Sequence, residues 1–367
     1  MKRSILFFLL ALCSVSSFAQ QMWTANQANA WYADQPWLVG CNYIPNNAIN
    51  ELEMWQAETW DPATIDRELG WAESIGMNTL RVFLHDLLWQ QDAEGFKKRL
   101  NEFLAICEKH HIRPMLVLFD SVWDPNPKLG KQRDPKPGVH NSGWVQSPGA
   151  AALMDEKQYP RLEAYVKGVV GTYANDKRIL CWDIWNEPDN VNSNNYEDPK
   201  NKLEFVEKLL PKAFEWARAA KPSQPLTSGV WQINYNDFKG LNPIEKIQLT
   251  QSDIISFHNY GDAPSFEQSV KMFKTYGRPM MCTEYLARGN NSKFETILPI
   301  GKENKIAMYN WGFVKGKTQT DLPWDSWQKP YVNGRVPAVW HHEIFYADGK
   351  PYQESEVQVI RSLTGKK

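Results

Sequence analysis

Short, nearly continuous apolar runs alternate along this chain with longer stretches in which apolar residues recur every three or four positions. The first pattern predicts strands covered on both faces. The second predicts amphipathic helices that cover them. Eight runs qualify as strands: Leu38–Tyr43, Asn78–Leu84, Arg113–Asp120, Ile179–Trp185, Pro225–Trp231, Ile254–Tyr260, Pro279–Tyr285 and Ala307–Phe313. Strands that alternate with helices imply βαβ units and a parallel sheet. Eight of them predict an α/β fold, a single (β/α)8 TIM barrel.

The helices carry their own punctuation. Asp61-Pro62 supplies an N-cap and a first-turn proline, Ile65, Leu69, Ala72 and Ile75 form one apolar stripe, and Gly76 supplies a stop. Phe96, Leu100, Phe103, Leu104 and Cys107 make a similar face. Further helices are predicted over Gln158–Tyr173, Lys202–Ala220, Ser265–Tyr276 and Glu354–Leu363, and a weaker one over Lys293–Lys305, which Pro299 and Gly301 interrupt. Three connections are long: Ser121–Lys157, Asp189–Lys200 and Val314–Tyr352. Each follows a strand, so a barrel puts all three on its catalytic face. Loops of this length more often serve function than not, and Ser121–Lys157 is placed to close one end of a cleft and favour chain-end cleavage.

Composition narrows the class. The 367 residues are 43% hydrophobic, enough for one large core, and no linker or repeat marks a second domain. Lys+Arg 41 against Asp+Glu 42 leaves a net charge of -1, so no long-range field favours nucleic acid or an anionic membrane. Seventeen tryptophans exceed what a core needs; flat rings stack on the apolar faces of sugars. Half of them or more are expected in the core. Trp55, Trp60, Trp123, Trp144 and Trp231 are candidates for either place.

The first 19 residues read as a secretory signal: Lys2-Arg3, an apolar stretch Ile5–Ala11, and Ser17-Phe18-Ala19 before the cut. The barrel domain then spans 20–367 and is exported to the periplasm or beyond. The apolar stretch is too short to span a bilayer. Lipidation at Cys13 is disfavoured by Leu12 in front of it. Cys41, Cys107, Cys181 and Cys282 follow no metal spacing and are expected as buried free thiols.

The candidate chemistry sits at two strand ends. Trp182-Asp183-Ile184-Trp185-Asn186-Glu187-Pro188 brings an Asn-Glu pair to the end of the fourth strand, where Pro188 ends pairing. Pro279-Met280-Met281-Cys282-Thr283-Glu284-Tyr285 brings a second glutamate to the end of the seventh. Two carboxyls facing each other across a barrel mouth suit glycoside cleavage, which needs one acid and one nucleophile or base. Neither a metal nor a cofactor is required.

Trp-Asn-Glu-Pro on strand four and Thr-Glu-Tyr on strand seven resemble the clan A glycoside hydrolases, nearest to the family 5 cellulase and mannanase group. The resemblance spans Leu38 to Phe313. It implies Glu187 as acid/base and Glu284 as nucleophile, with retention of β configuration. It also implies that Arg81 supports the nucleophile, that Asn186 bonds the sugar 2-hydroxyl, that His258 and Tyr260 stand beside the nucleophile, and that Trp311 underlies the cleaved sugar. One position departs: a strand-three histidine common in family 5 is replaced by Phe119-Asp120-Ser121. His85 or His140 is expected to substitute, or Asp120 and Trp123 read the sugar differently. His341-His342 fall in a mouth-side loop, and His110-His111 look like an exposed helix end.

The expected activity is a retaining β-glycosidase, active as a monomer on a plant-type β-linked glycan (mannan, xylan or glucan). A transglycosylase uses the same residues. A non-catalytic sugar-binding barrel predicts a lost carboxylate, and a metal-dependent barrel hydrolase predicts a strand-borne His-x-His or a carboxylate cluster. None of these features is in the sequence.

Overall fold

The computed structural model describes residues 21–191, 195–232 and 240–366. The 1–19 segment therefore lies outside the described residues. Eight strands form one parallel sheet: β1 (Val39–Asn42), β2 (Thr79–Phe83), β3 (Arg113–Asp120), β4 (Cys181–Asn186), β5 (Leu226–Thr227), β6 (Ile255–His258), β7 (Met280–Tyr285) and β8 (Ala307–Asn310). Their order is β5-β4-β3-β2-β1-β8-β7-β6. The two ends of that series meet. Val230 N–H donates to Ser256 O at 3.1 Å, and His258 N–H donates to Val230 O at 2.9 Å. These bonds close the sheet into a (β/α)8 barrel and leave no free edge.

The helices are α1 (Ala25–Ala33), α2 (Glu51–Trp55), α3 (Pro62–Ser74), α4 (Asp86–Lys109), α5 (Ala150–Met154), α6 (Tyr159–Thr172), α7 (Lys202–Ala219), α8 (Pro243–Gln251), α9 (Ala263–Phe273), α10 (Phe294–Glu303) and α11 (Glu354–Thr364). The third shows how sequence sets each boundary. Asp61 Oδ1 accepts the Thr64 N–H at 3.1 Å, Pro62 opens the helix, and Ile65, Leu69 and Ala72 are buried. Full burial of one such leucine stabilises by roughly 1.5–3 kcal/mol. At Gly76 the backbone turns left-handed (φ 81°), and a Cβ there would come 2.2 Å from Thr364 Oγ1.

The helix expected to break at Pro299 and Gly301 is continuous. Gly301 lets it approach β8, where a Cβ would meet Met308 Sδ at 2.5 Å. The first helix closes the barrel floor: Ala28 packs with Leu38, Met115, Leu180 and Met281. Among the described residues the four cysteines, Cys41, Cys107, Cys181 and Cys282, are buried and free. Among the described residues no helix is long and apolar enough to cross a membrane.

Candidate active site

Side chains alternate along a strand, so β4 sends Trp182 and Ile184 into the packing against helices and Asp183 into the barrel, fully buried. The strand ends at Asn186, and Glu187 follows with a left-handed backbone, φ 43°. A glutamate in that conformation costs on the order of 1–3 kcal/mol. The surrounding bonds hold it there.

Arg81, on β2, ties the floor of the site together. Its Nε and Nη2 donate to Asp183 Oδ2 at 2.9 and 2.8 Å. Nη1 donates to Asn42 Oδ1 at 2.9 Å and to Glu284 Oε1 at 2.8 Å, and Nη2 also reaches Asn186 Oδ1 at 2.7 Å. A fully buried guanidinium is stable here because acceptors surround it. Tyr260 completes the far side of Glu284, its hydroxyl donating to Oε2 at 2.6 Å. Burial and the adjacent Glu284 charge keep that phenol protonated, so it remains a donor.

Glu187 has different company. Asn190 Nδ2 donates to its Oε2 at 2.7 Å, and His258 Nδ1 lies 2.8 Å from Oε1. The same His258 Nδ1 is 3.5 Å from Glu284 Oε2. His258 is thus nearer to Glu187 than to the strand-seven glutamate it was expected to flank. One oxygen of each glutamate and a His258 ring nitrogen lie within 4.8 Å of one another. Burial pushes the Glu187 carboxyl up to about 7, with the Asn190 bond opposing it. Burial also raises Glu284, and there His258, Arg81 and the Tyr260 hydroxyl pull the other way. Burial drives His258 down to about 4, so its imidazole is neutral near pH 6. By donor count the Glu187–His258–Glu284 cluster matches a divalent cation site. Arg81, Tyr260 and Asn190 already donate into both carboxyls, however, and supply the compensation that a cation would.

The cleft over these groups holds about 720 Å³ of space, open solvent included. Asn186, Glu187, Tyr260, Glu284, Trp311, Trp123, Trp231, His140 and His342 line it, all raised as candidates by the sequence, together with Asn190 and Trp324. Trp311 stands edge-on to Phe83 and Trp144, each at 5.9 Å, which fixes the orientation of its ring.

Asp120 departs from expectation: it does not line the cleft. Its oxygens accept from Trp144 Nε1 at 2.6 Å, Asn186 Nδ2 at 2.9 Å and Val122 N–H at 3.0 Å. Those donors engage both oxygens and turn the carboxyl to fixing Asn186 rather than to facing the cleft. Trp55 and Trp60 stack on each other at 5.5 Å away from the site. His85 accepts the Leu87 N–H at the start of α4, so only His140 of the two substitutes reaches the cleft. His110 is buried rather than exposed, held between Asp66 at 2.8 Å and Glu73 at 3.0 Å. The sequence reading missed Asp183, Asn42 and Asn190 as site residues. The signal for the first two was a polar side chain inside an otherwise apolar strand.

Residues 51–329 match the model of the cellulase family, glycosyl hydrolase family 5. The chain belongs to that family. It is a glycosidase acting on O-glycosyl bonds. No curated protein matches the sequence. Solved structures share its fold at low identity. GH5_18 from Streptomyces cattleya, in complex with Manβ1-4GlcNAc, is 10% identical with a TM-score of 0.60, over 89% of this chain and 80% of its own. The exo-β-1,4-mannosidase Op5Man5 from Opitutaceae bacterium strain TAV5 is 19% identical with a TM-score of 0.58, over 90% of this chain and 60% of its own. The endo-β-1,4-mannanase from Thermotoga petrophila is 15% identical with a TM-score of 0.54, over 89% and 76%.

Proposed function

We propose that this family 5 enzyme is an exported, retaining β-glycosidase acting on β-1,4-linked mannosides, with Glu187 as acid/base and Glu284 as nucleophile. The observation that carries the reading is the close approach of the two carboxyls, one oxygen of Glu187 lying within 4.8 Å of one of Glu284, which supports the shorter, retaining spacing. An inverting pair stands ~6.5–9.5 Å apart to admit a water, and a retaining pair ~5–5.5 Å. Lys2-Arg3, the apolar stretch after them and Ser17-Phe18-Ala19 support export. The mannoside preference rests on the substrates named for the structural neighbours.

The roles divide by environment. Two facing carboxyls resist double ionisation, and Arg81 beside Glu284 leaves the shared proton on Glu187. Glu284 Oε2 or Oε1 attacks the anomeric carbon as Glu187 gives its proton to the departing oxygen. The glycosyl ester removes the charge of Glu284. Glu187, now ionised, takes a proton from water, which attacks the same carbon and frees Glu284. Asn186, fixed by Arg81 and Asp120, faces the cleft to bond the sugar 2-hydroxyl.

The test is hydrolysis of manno-, xylo- and cello-oligosaccharides by the mature chain, beside Glu284→Ala, with the first-formed anomer read by NMR. Manno-oligosaccharide cleavage that gives the β anomer and vanishes in the variant is expected. An α product, or an active Glu284→Ala, would overturn the assignment.

A further inference from the structure

Two mouth loops of this barrel are fastened to each other. Asn141 N–H donates to Thr318 O at 2.7 Å, Tyr331 N–H to Gly138 O at 2.8 Å, and His140 N–H to Ser326 Oγ at 3.0 Å. Trp123 stacks on Trp327 at 4.9 Å with 19° between the planes. One loop leaves β3 and the other leaves β8, with β1 and β2 between them in the sheet. The clasp therefore bridges the mouth over β1 and β2. Its inner side presents His140, Trp324 and His342 to the cleft. Trp324 and His342 flank Tyr260 at 5.1 and 5.7 Å, so they stand on the Glu284 side. The opposite margin, with Asn190 and Trp231, borders Glu187.

This placement bears on how a chain enters. The leaving group lies against the acid, and the transferred sugar lies against the nucleophile. A glycan running on past the transferred sugar needs space on the nucleophile side, where the clasp stands. Behind Trp311, between Phe83, Trp144 and Glu343, room remains for about one water.

The clasp also carries acceptors of fixed sense. His140 Nδ1 lies 2.7 Å from Leu322 O, and His342 Nδ1 contacts Leu286 O. A carbonyl only accepts, so each Nδ1 carries the hydrogen and each Nε2 presents a lone pair. Burial lowers the pKa of both imidazoles, His140 to about 3, which keeps them neutral. His342 Nε2 is buried without a partner among the described residues. An acceptor left so is stabilised by any hydroxyl that reaches it.

We propose that the clasp closes the cleft beyond the transferred sugar, so that the enzyme removes single sugars from the non-reducing end, and that His140 and His342 accept hydrogen bonds from the hydroxyls of that sugar. The proposal rests on the glycosidase roles given above. Its test is the early product pattern on borohydride-reduced mannopentaose. Free mannose and the alditol shortened by one sugar are expected as the first products. Unreduced mannobiose or mannotriose at early times would overturn it.

On 4-nitrophenyl β-mannoside, His342→Ala and His140→Ala should each lower kcat/KM at least about tenfold, while His342→Gln, which restores an acceptor, stays within about threefold. Equal losses in His342→Ala and His342→Gln, with unchanged melting temperatures, would remove the acceptor role. If His342→Ala does not fold, His140→Ala beside His140→Gln reads the same point. An enzyme that cuts internally but depends on Glu284 refutes only the closed cleft. An enzyme indifferent to Glu284 refutes the reaction itself.

Discussion

Arg81 Nη1 lies 2.8 Å from Glu284 Oε1 while Nε and Nη2 of the same guanidinium grip Asp183 Oδ2. With Glu284 as the proposed nucleophile, the cation has one partner outside the reaction, Asp183, and one that becomes an ester during it. Arg81→Lys cannot reproduce this fork, because a point charge reaches only part of the acceptor set. Its kcat should fall by about 10²–10³, as for the loss of a donor to a charged reacting group. Arg81→Met should in addition cost roughly 3–5 kcal/mol, since Asp183 is left charged and unpaired in the barrel. Thermal melts beside kinetics separate the two effects. An Arg81→Met protein that melts with the wild type would show that Asp183 needs no cation.

The raised carboxyls set the pH profile. In the proposed mechanism Glu187 is the acid and must be protonated, and burial places its pKa at about 7. Hydrolysis of alkyl mannosides should therefore fall as pH rises through about 7, with the acid limb set by protonation of Glu284. Glu187→Gln should lose the alkaline limb on 4-nitrophenyl β-mannoside, whose leaving group departs without proton transfer, and keep the acid limb. Persistence of the alkaline limb would assign it to another group.

Much of this was legible in the sequence, for a physical reason. Strands buried on both faces read as apolar runs, so all eight stand where the pattern put them, although β5 pairs over only Leu226–Thr227 before bending toward Val230. The reading had no α8, because only Ile244 and Leu249 give it apolar burial; its Asn242-Pro243 start and Glu245 capping box were the better signal. The two five-residue helices, α2 and α5, are too short to show a period. At the candidate site, strand-end position sufficed to place Glu187 and Glu284 in one cleft. It did not suffice for Asp120, whose role depends on Trp144 from a distant turn of the following loop. The contact of Asn141 with Thr318 joins segments far apart in the chain and leaves no mark in either.

Asp120 leads to a third expectation. It accepts hydrogen bonds from Trp144, Asn186 and Val122, so Asp120→Asn turns one of its oxygens into a donor facing a donor. Asn186 should tilt away from the position in which we propose it bonds the sugar 2-hydroxyl. A loss of roughly 10–100-fold in kcat is expected, in the range seen when a group that orients a reacting residue is removed. The KM should change little, and a 2-deoxy mannoside should lose less activity in the variant than mannoside does. Equal losses on both sugars would mean that Asp120 acts by another route.

The last expectation concerns stability. Glu51 opens α2, is buried, and neither of its oxygens has a partner among the described residues. Burial, with Asp120 and Asp86 nearby, holds its pKa well above the ordinary value. The folded protein therefore binds a proton there that the unfolded chain releases near pH 4–5. Above that range the unfolded state binds fewer protons, so the contribution of Glu51 to stability falls as pH rises toward its folded pKa. Glu51→Gln keeps the shape and never ionises. Its melting temperature should match the wild type near pH 5 and exceed it increasingly toward pH 8. The buried histidines, whose lowered pKa values make them lose stability as pH falls, are common to both proteins and cancel in the difference. Two melting curves that run parallel from pH 5 to pH 8 would mean that Glu51 is neutral in both states, or charged in both, across that window.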